Sequence, residues 1–153
     1  MYKRQADIDS NIYEAVLAVS PNSPLDFHYR VEALSEFIES KDSKSLIDSN
    51  KRIANILKDS NEEQEKLNPK MLLEDSEKIL FKATESLSKN LSENNNYKET
   101  IKSLINLKES IDSFFDNVMV NVEDKEVKSS RLALIRRVRQ LFLSVADISH
   151  LSS

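Results

Sequence analysis

The segment "FFDNVMVNVEDKEVKSSRLALIRRVRQLFLSVADIS", residues 114–149, decides the fold class. From Val127 onward its apolar residues return at helical spacing. Val127, Leu134, Ile135, Val138, Leu141, Phe142 and Val145 all fall on one side. Asp124 stands where an N-cap belongs, so a last helix is expected from about Asp124 to about Ile148. "VMVNV", at 118–122, has the composition of a strand but is short and has no evident partner; it is read as a helix end. The helix that it ends begins near residue 97 and carries Tyr97, Ile101, Leu104, Ile111, Phe115 and Val118.

Working back from there, helices continue to appear. Residues 7–19 place Ile8, Ile12, Ala15, Val16 and Val19 on one side. "SPNSPLD" then offers Ser23 as an N-cap, Pro24 at the first helical position and Asp26 where a capping-box acid would sit. The helix so opened turns Phe27, Val31, Leu34 and Ile38 inward. In "KDSKSLIDSNKRIANILKDS", at about 100° per residue, Leu46, Asn50, Ile53 and Leu57 share a face; Lys51, Asn55 and Lys58 point away, and Arg52 lies on the flank. Asn50 therefore needs a hydrogen-bond partner inside an apolar face. Residues 60–70, "SNEEQEKLNPK", read as an internal linker or a frayed helix end. A further helix over 72–91 presents Leu73, Leu80, Ala83, Leu87 and Leu91. The sum over residues 1–153 is one all-α domain, a bundle of about six helices.

Composition narrows the chemistry. The chain has no glycine, which removes the backbone cradles that hold nucleotide phosphates and leaves its turns to Asn, Asp and Ser. It has no cysteine, so thiolate metal sites and disulfides are excluded. The apolar run "AVLAV" near the N-terminus is too short for a signal peptide, nothing approaches membrane-spanning length, and the expected location is cytoplasmic with no membrane partner. His28 and His150 are lone histidines and read as structural or solvated. "NEEQE" and "LEDSE" read as solvated acids and helix-start acids. No catalytic residue and no metal ligand is expected.

Four of the seven arginines stand in the opening segment of a chain whose net charge is −4. Taking Val138 as the centre of the buried face, Arg131 lies on that same side and is expected in a buried or half-buried ion pair; Asp116 is the expected partner, brought close by an antiparallel turn. Asn50, Asp116 and Arg131 are thus expected to be structural polar residues. Arg136 points outward, with Arg137 and Arg139 on the flanks. Lys128, Arg136 and Arg139 share an arc with Leu132 and Leu143, so this helix is either covered on a second side or docks something. A basic arc mixed with apolar groups suits an RNA loop, and it equally suits a solvated surface or a protein interface.

Whole strings carry more than spacing does. The opening segment looks like the C-terminal signature of the bacterial glycyl-tRNA synthetase β subunit. "SNKRIANILKDSNE" resembles the Asn-Lys-Arg segment of that family, and "IYEAVLAVSPNSPLDFHYRVEALSEF" resembles the stretch just upstream. The resemblance implies a DALR-type anticodon-binding domain, the C-terminal fragment of a longer β subunit. Its implied partners are glycine tRNA, the remainder of the β subunit, and the α subunit of an α2β2 ligase. ATP, with magnesium, is implied for the parent enzyme on the α subunit, and no cofactor for this domain. Asn50, Lys51 and Arg52 match the Asn-Lys-Arg positions, and Arg131 with Leu132 the Arg-Leu pair. With Asn50 and Arg131 assigned to packing, Lys51, Arg52, Lys58, Lys128, Arg136 and Arg139 are the expected tRNA contacts. The alternative expectation is a helical module that packs against the rest of the synthetase.

Overall fold

Without glycine, this chain has to start and stop its helices with side chains. The computed structural model describes residues 11–58, 67–93, 96–120 and 122–151, with the backbone alone for 90–93. Ile8, residues 60–66 of the expected linker and the Leu91 side chain lie outside the described residues. The described chain is all-α. After α1 (11–17) come α2 (Pro24–Glu39), α3 (Ser43–Lys58), α4 (Asp75–Glu93), α5 (Tyr97–Ile105), α6 (Lys108–Asn117) and α7 (Lys125–Leu143). Short 3-10 turns stand at Pro69–Met71 and Ile148–His150. Several helix starts have polar caps, whereas α6 begins after Leu107 with no side-chain cap. The Ser23 hydroxyl accepts the Asp26 N–H at 3.1 Å with Pro24 at the helix start. Asn96 accepts from the N–H groups of Lys98 and Glu99, and Asp124 from those of Glu126 and Val127. Just past α1, Ser20 adopts a φ of 51°, the left-handed position that glycine usually fills.

Several elements differ from their expected form. The helix expected from residue 97 is two, because α5 packs on α2 while α6 packs on α4 and α3; a break at Asn106–Leu107 lets each half meet its own neighbour. "VMVNV" is not a helix end, since Val118 is extended at φ −123° and ψ 129°. α7 stops at Leu143 and not near Ile148, and Ser144 caps it. Leu73, expected inward, is 59% exposed because it precedes the first turn of α4; Leu72 takes the buried place. Phe114 fills the core where Phe115 was expected, and Phe115 is only half-buried. On α2, Ala33, Leu34 and Phe37 form the buried centre, with Phe27, Val31 and Ile38 packed at its edge.

The core lies around α7, which packs on α3, on α4 and on the 69–71 turn. Phe37, Phe114 and Phe142 are buried almost completely, each stabilising the fold by about 1.5–3 kcal/mol through the area it removes from water. The chain after α7 folds back over the start of the domain, and the Asp147 N–H donates to the Ala15 carbonyl at 2.9 Å. On α3, Lys44 and Lys58 are exposed and Lys51 is half-buried.

Candidate nucleic-acid interface

On α3 the inner face carries Leu46, Ile47, Asn50, Ile53 and Leu57, all buried. Asn50 finds its partner within the helix, its amide nitrogen donating to the Leu46 carbonyl at 2.9 Å. The outer face carries Lys44, Lys51 and Lys58. A seven-residue step falls short of two helical turns by only about 20° of rotation, so these three stand nearly in line, roughly 10 Å apart. None of them makes an ion pair among the described residues, and neither does Arg52. The Arg52 guanidinium lies 4.3 Å above the Phe115 ring of α6 and faces a groove between the two helices. Lys51, Arg52 and Lys58 are thus cations of one helix that stand outside the described ion pairs.

The cations of α7 are arranged differently. Arg131 is buried, and its partner is not Asp116. Its Nη2 meets Glu77 Oε1 of α4 at 2.9 Å, and its Nη1 donates to the Met119 carbonyl. The antiparallel turn does bring the α6–α7 connection to Arg131, but a backbone carbonyl fills the place expected for the Asp116 carboxylate. Asp116 is exposed. Glu77, read from "LEDSE" as a helix-start acid, has no solvent exposure. Its 3–4–3 spacing with Leu80, Thr84 and Leu87 was the signal for a buried position. Its Oε1 also accepts the Glu74 N–H at 3.2 Å, so it does hold the start of α4 as well.

Arg139, expected on the docking arc, is committed to Asp147 through two contacts of 3.1 and 3.3 Å. Burial pulls the Asp147 carboxyl upward, but the Ser149 hydrogen bonds and the Arg139 guanidinium outweigh it and hold the group below the usual carboxylate range. Arg137 meets Glu85 at 3.8 Å and lies over Phe81. Lys128 and Arg136 are half-buried. Leu132 is buried and Leu143 half-buried; the 69–71 turn packs on α7, where the Asn68 N–H donates to the Ser130 hydroxyl at 3.0 Å. The expected contacts therefore do not form one set. Arg52 lines the α3–α6 groove, and Lys51, Lys58, Lys128, Arg136 and Arg139 do not.

One arginine carries more of the structure than the sequence suggested. Arg30 of α2 donates through Nε to Asp26 at 2.9 Å and through Nη1 to the carbonyls of Ser144 and Val145 at 3.0 and 2.7 Å. It also lies 4.6 Å above the Tyr97 ring. A cation thus closes the carbonyl end of α7 from the far end of the chain. Asp26 accepts from the Tyr97 hydroxyl, from Arg30 and from the Asn22 N–H, not from Ser23 as a capping box would have it. The Tyr97 hydroxyl, with Arg30, holds the Asp26 carboxyl below its ordinary value; burial, then the Asp26 carboxylate, pushes the Tyr97 phenol up. His28 faces Glu32 and His150 faces Asp147. No group of three His, Cys, Asp or Glu able to hold a metal occurs among the described residues, and no described helix is long and apolar enough to cross a membrane.

Comparison with known proteins converges on one description. The family pattern described as the DALR anticodon binding domain matches residues 46–148. A glycine–tRNA ligase β subunit of Vibrio parahaemolyticus is 43% identical over 143 residues, covering 91% of this chain and 21% of that protein. One from Vibrio cholerae is 40% identical over 150 residues, covering 95% and 22%. One from Aliivibrio fischeri is 43% identical over 143 residues, with the same coverage as the first. The chain spans about a fifth of the length of the curated relatives it matches.

Proposed function

Because this chain belongs to the family of DALR anticodon-binding domains, we propose that it docks the anticodon stem-loop of glycine tRNA on the outer face of α3. The relatives' common name, glycine–tRNA ligase β subunit, supports the choice of tRNA. The observation that carries the docking face is the line of Lys44, Lys51 and Lys58, which make no ion pair among the described residues, with Arg52 beside them. Their spacing of roughly 10 Å is close to the screening length at physiological ionic strength. They therefore act as local phosphate contacts, which a net charge of −4 does not oppose. Lys128 and Arg136 of α7 are secondary contacts in this reading, and Arg139 is structural.

In this reading the domain positions tRNA for an ATP-dependent glycine–tRNA ligase of α2β2 form acting in the cytoplasm. Glycine activation, with ATP and magnesium, belongs to the α subunit. A second face has its own support. Tyr13 and Leu17 of α1, with Leu25 and Tyr29 of α2, are large apolar side chains 45–60% exposed, joined through the Tyr13–Phe27 ring contact at 5.6 Å. This end of the bundle suits packing against the remainder of the β subunit.

Titrating the 153-residue chain with an RNA hairpin carrying the glycine anticodon loop, and with an anticodon-swapped hairpin, tests the assignment. Tighter binding of the glycine hairpin, weakening as salt rises, is the expected result. Equal binding of both hairpins, or none, would refute it.

A further inference from the structure

The groove between α3 and α6 is open to solvent and offers about 570 Å³, ample for a single flat ring system. Its wall is the Phe115 ring with the Arg52 guanidinium stacked 4.3 Å above it. Arg52 is exposed, so its guanidinium remains accessible from the solvent. Guanidinium planes and aromatic rings are the surfaces on which unstacked bases settle. The charges around the groove oppose its use by phosphate. The lining carries three cations, Lys41, Lys44 and Arg52, and as many carboxylates, Asp48, Asp112 and Asp116. Lys108 engages Asp112 at 2.9 Å. Asp48 and Asp116 are exposed and have neither a hydrogen bond nor an ion pair among the described residues.

From this combination we infer that the α3–α6 groove receives one splayed nucleobase that bears an exocyclic amino group, stacked on Arg52 and read by the carboxylates of Asp48 and Asp116. The inference rests on the tRNA-docking reading above. An ionised carboxylate can only accept, so it pairs with the amino donor of cytosine, adenine or guanine and repels the carbonyl edge of uracil. Lys44 belongs both to the groove and to the lysine line. A nucleotide can therefore place its base in the groove and its phosphate on the line.

The test uses the 153-residue chain and RNA hairpins bearing the glycine anticodon, with cytosine replaced by uracil at each position that pairs with a guanine of the glycine codon. At one of these positions the replacement should weaken binding by roughly tenfold, the worth of one charged hydrogen bond. In the Asp48→Asn/Asp116→Asn double variant that penalty should shrink to within about twofold, because an amide accepts and donates alike. The ratio of the two affinities cancels any general gain from removing negative charge. Arg52→Lys keeps the charge but removes the stacking plane, and should weaken cytosine and uracil hairpins alike. A tenfold penalty retained in the double variant would overturn the groove assignment while leaving the docking reading intact. Failure of the unaltered chain to bind any hairpin would instead overturn the docking reading, and the groove assignment with it.

Discussion

Glu77 and Arg131 show how much a single pair of side chains sets here. Their side chains are 0% and 8% exposed and meet at 2.9 Å, yet Glu77 Oε2 and Arg131 Nε are buried without a hydrogen-bond partner. The pair thus carries desolvation that its own contacts only partly offset. Glu77→Ala alone, which leaves a buried guanidinium uncompensated, should destabilise the fold by about 3–5 kcal/mol in urea unfolding. The double change Glu77→Leu/Arg131→Met should recover most of that loss; equal losses in the single and double variants would contradict it. Asp26, Asp147 and Tyr97 set the pH range. The carboxyls of Asp26 and Asp147 are held low, so their contribution is complete above the ordinary carboxylate range and is lost as pH falls through their lowered values. The Tyr97 phenol is held high, so its contribution is complete below about pH 10 and is lost as pH rises through its raised value. The urea midpoint should therefore decline at both edges, with Tyr97→Phe flattening the alkaline edge. An alkaline slope unchanged in that variant would show that the Asp26–Tyr97 contact does not set it.

At the scale of elements, the chain, which has no glycine, uses polar caps at several helix starts and, among the described residues, a strained serine. Ser20 at φ 51° pays a left-handed penalty that a residue without Cβ escapes. Ser20→Gly should raise stability by about 0.5–1 kcal/mol, less than the full penalty because glycine also loosens the unfolded chain. A lower midpoint in thermal or urea unfolding would mean that the serine side chain contributes more than its backbone costs. Helix starts with a side-chain cap, Ser23 before Pro24 and Asp124 before Val127, were legible because capping is local, whereas the uncapped start of α6 after Leu107 was not. Helix ends were not. Nothing near Asn106 or Leu143 stops a helix by propensity, and the breaks are made by which neighbour each half must meet. The same limit explains Leu73 and Phe115, each one position away from the residue that actually fills the core.

For the molecule as a whole, the all-α class followed from periodicity, and the family from long strings that resemble known ones. The candidate interface was only half legible. Helix geometry sorts side chains into inward and outward but cannot tell which outward cation meets an acid from elsewhere in the chain. Asp147 reaches Arg139 only because the chain turns after α7, and Glu77 reaches Arg131 only because α4 packs on α7. What survives that folding is the lysine line of α3. The most direct measurement compares the salt dependence of glycine-tRNA hairpin binding for the unaltered chain, for Lys51→Glu/Lys58→Glu and for Arg139→Gln. The α3 variant should lose affinity for every hairpin and flatten the slope by about one unit for each lysine, while Arg139→Gln keeps the slope of the unaltered chain. A slope unchanged by the α3 variant would contradict the assignment of that face to tRNA.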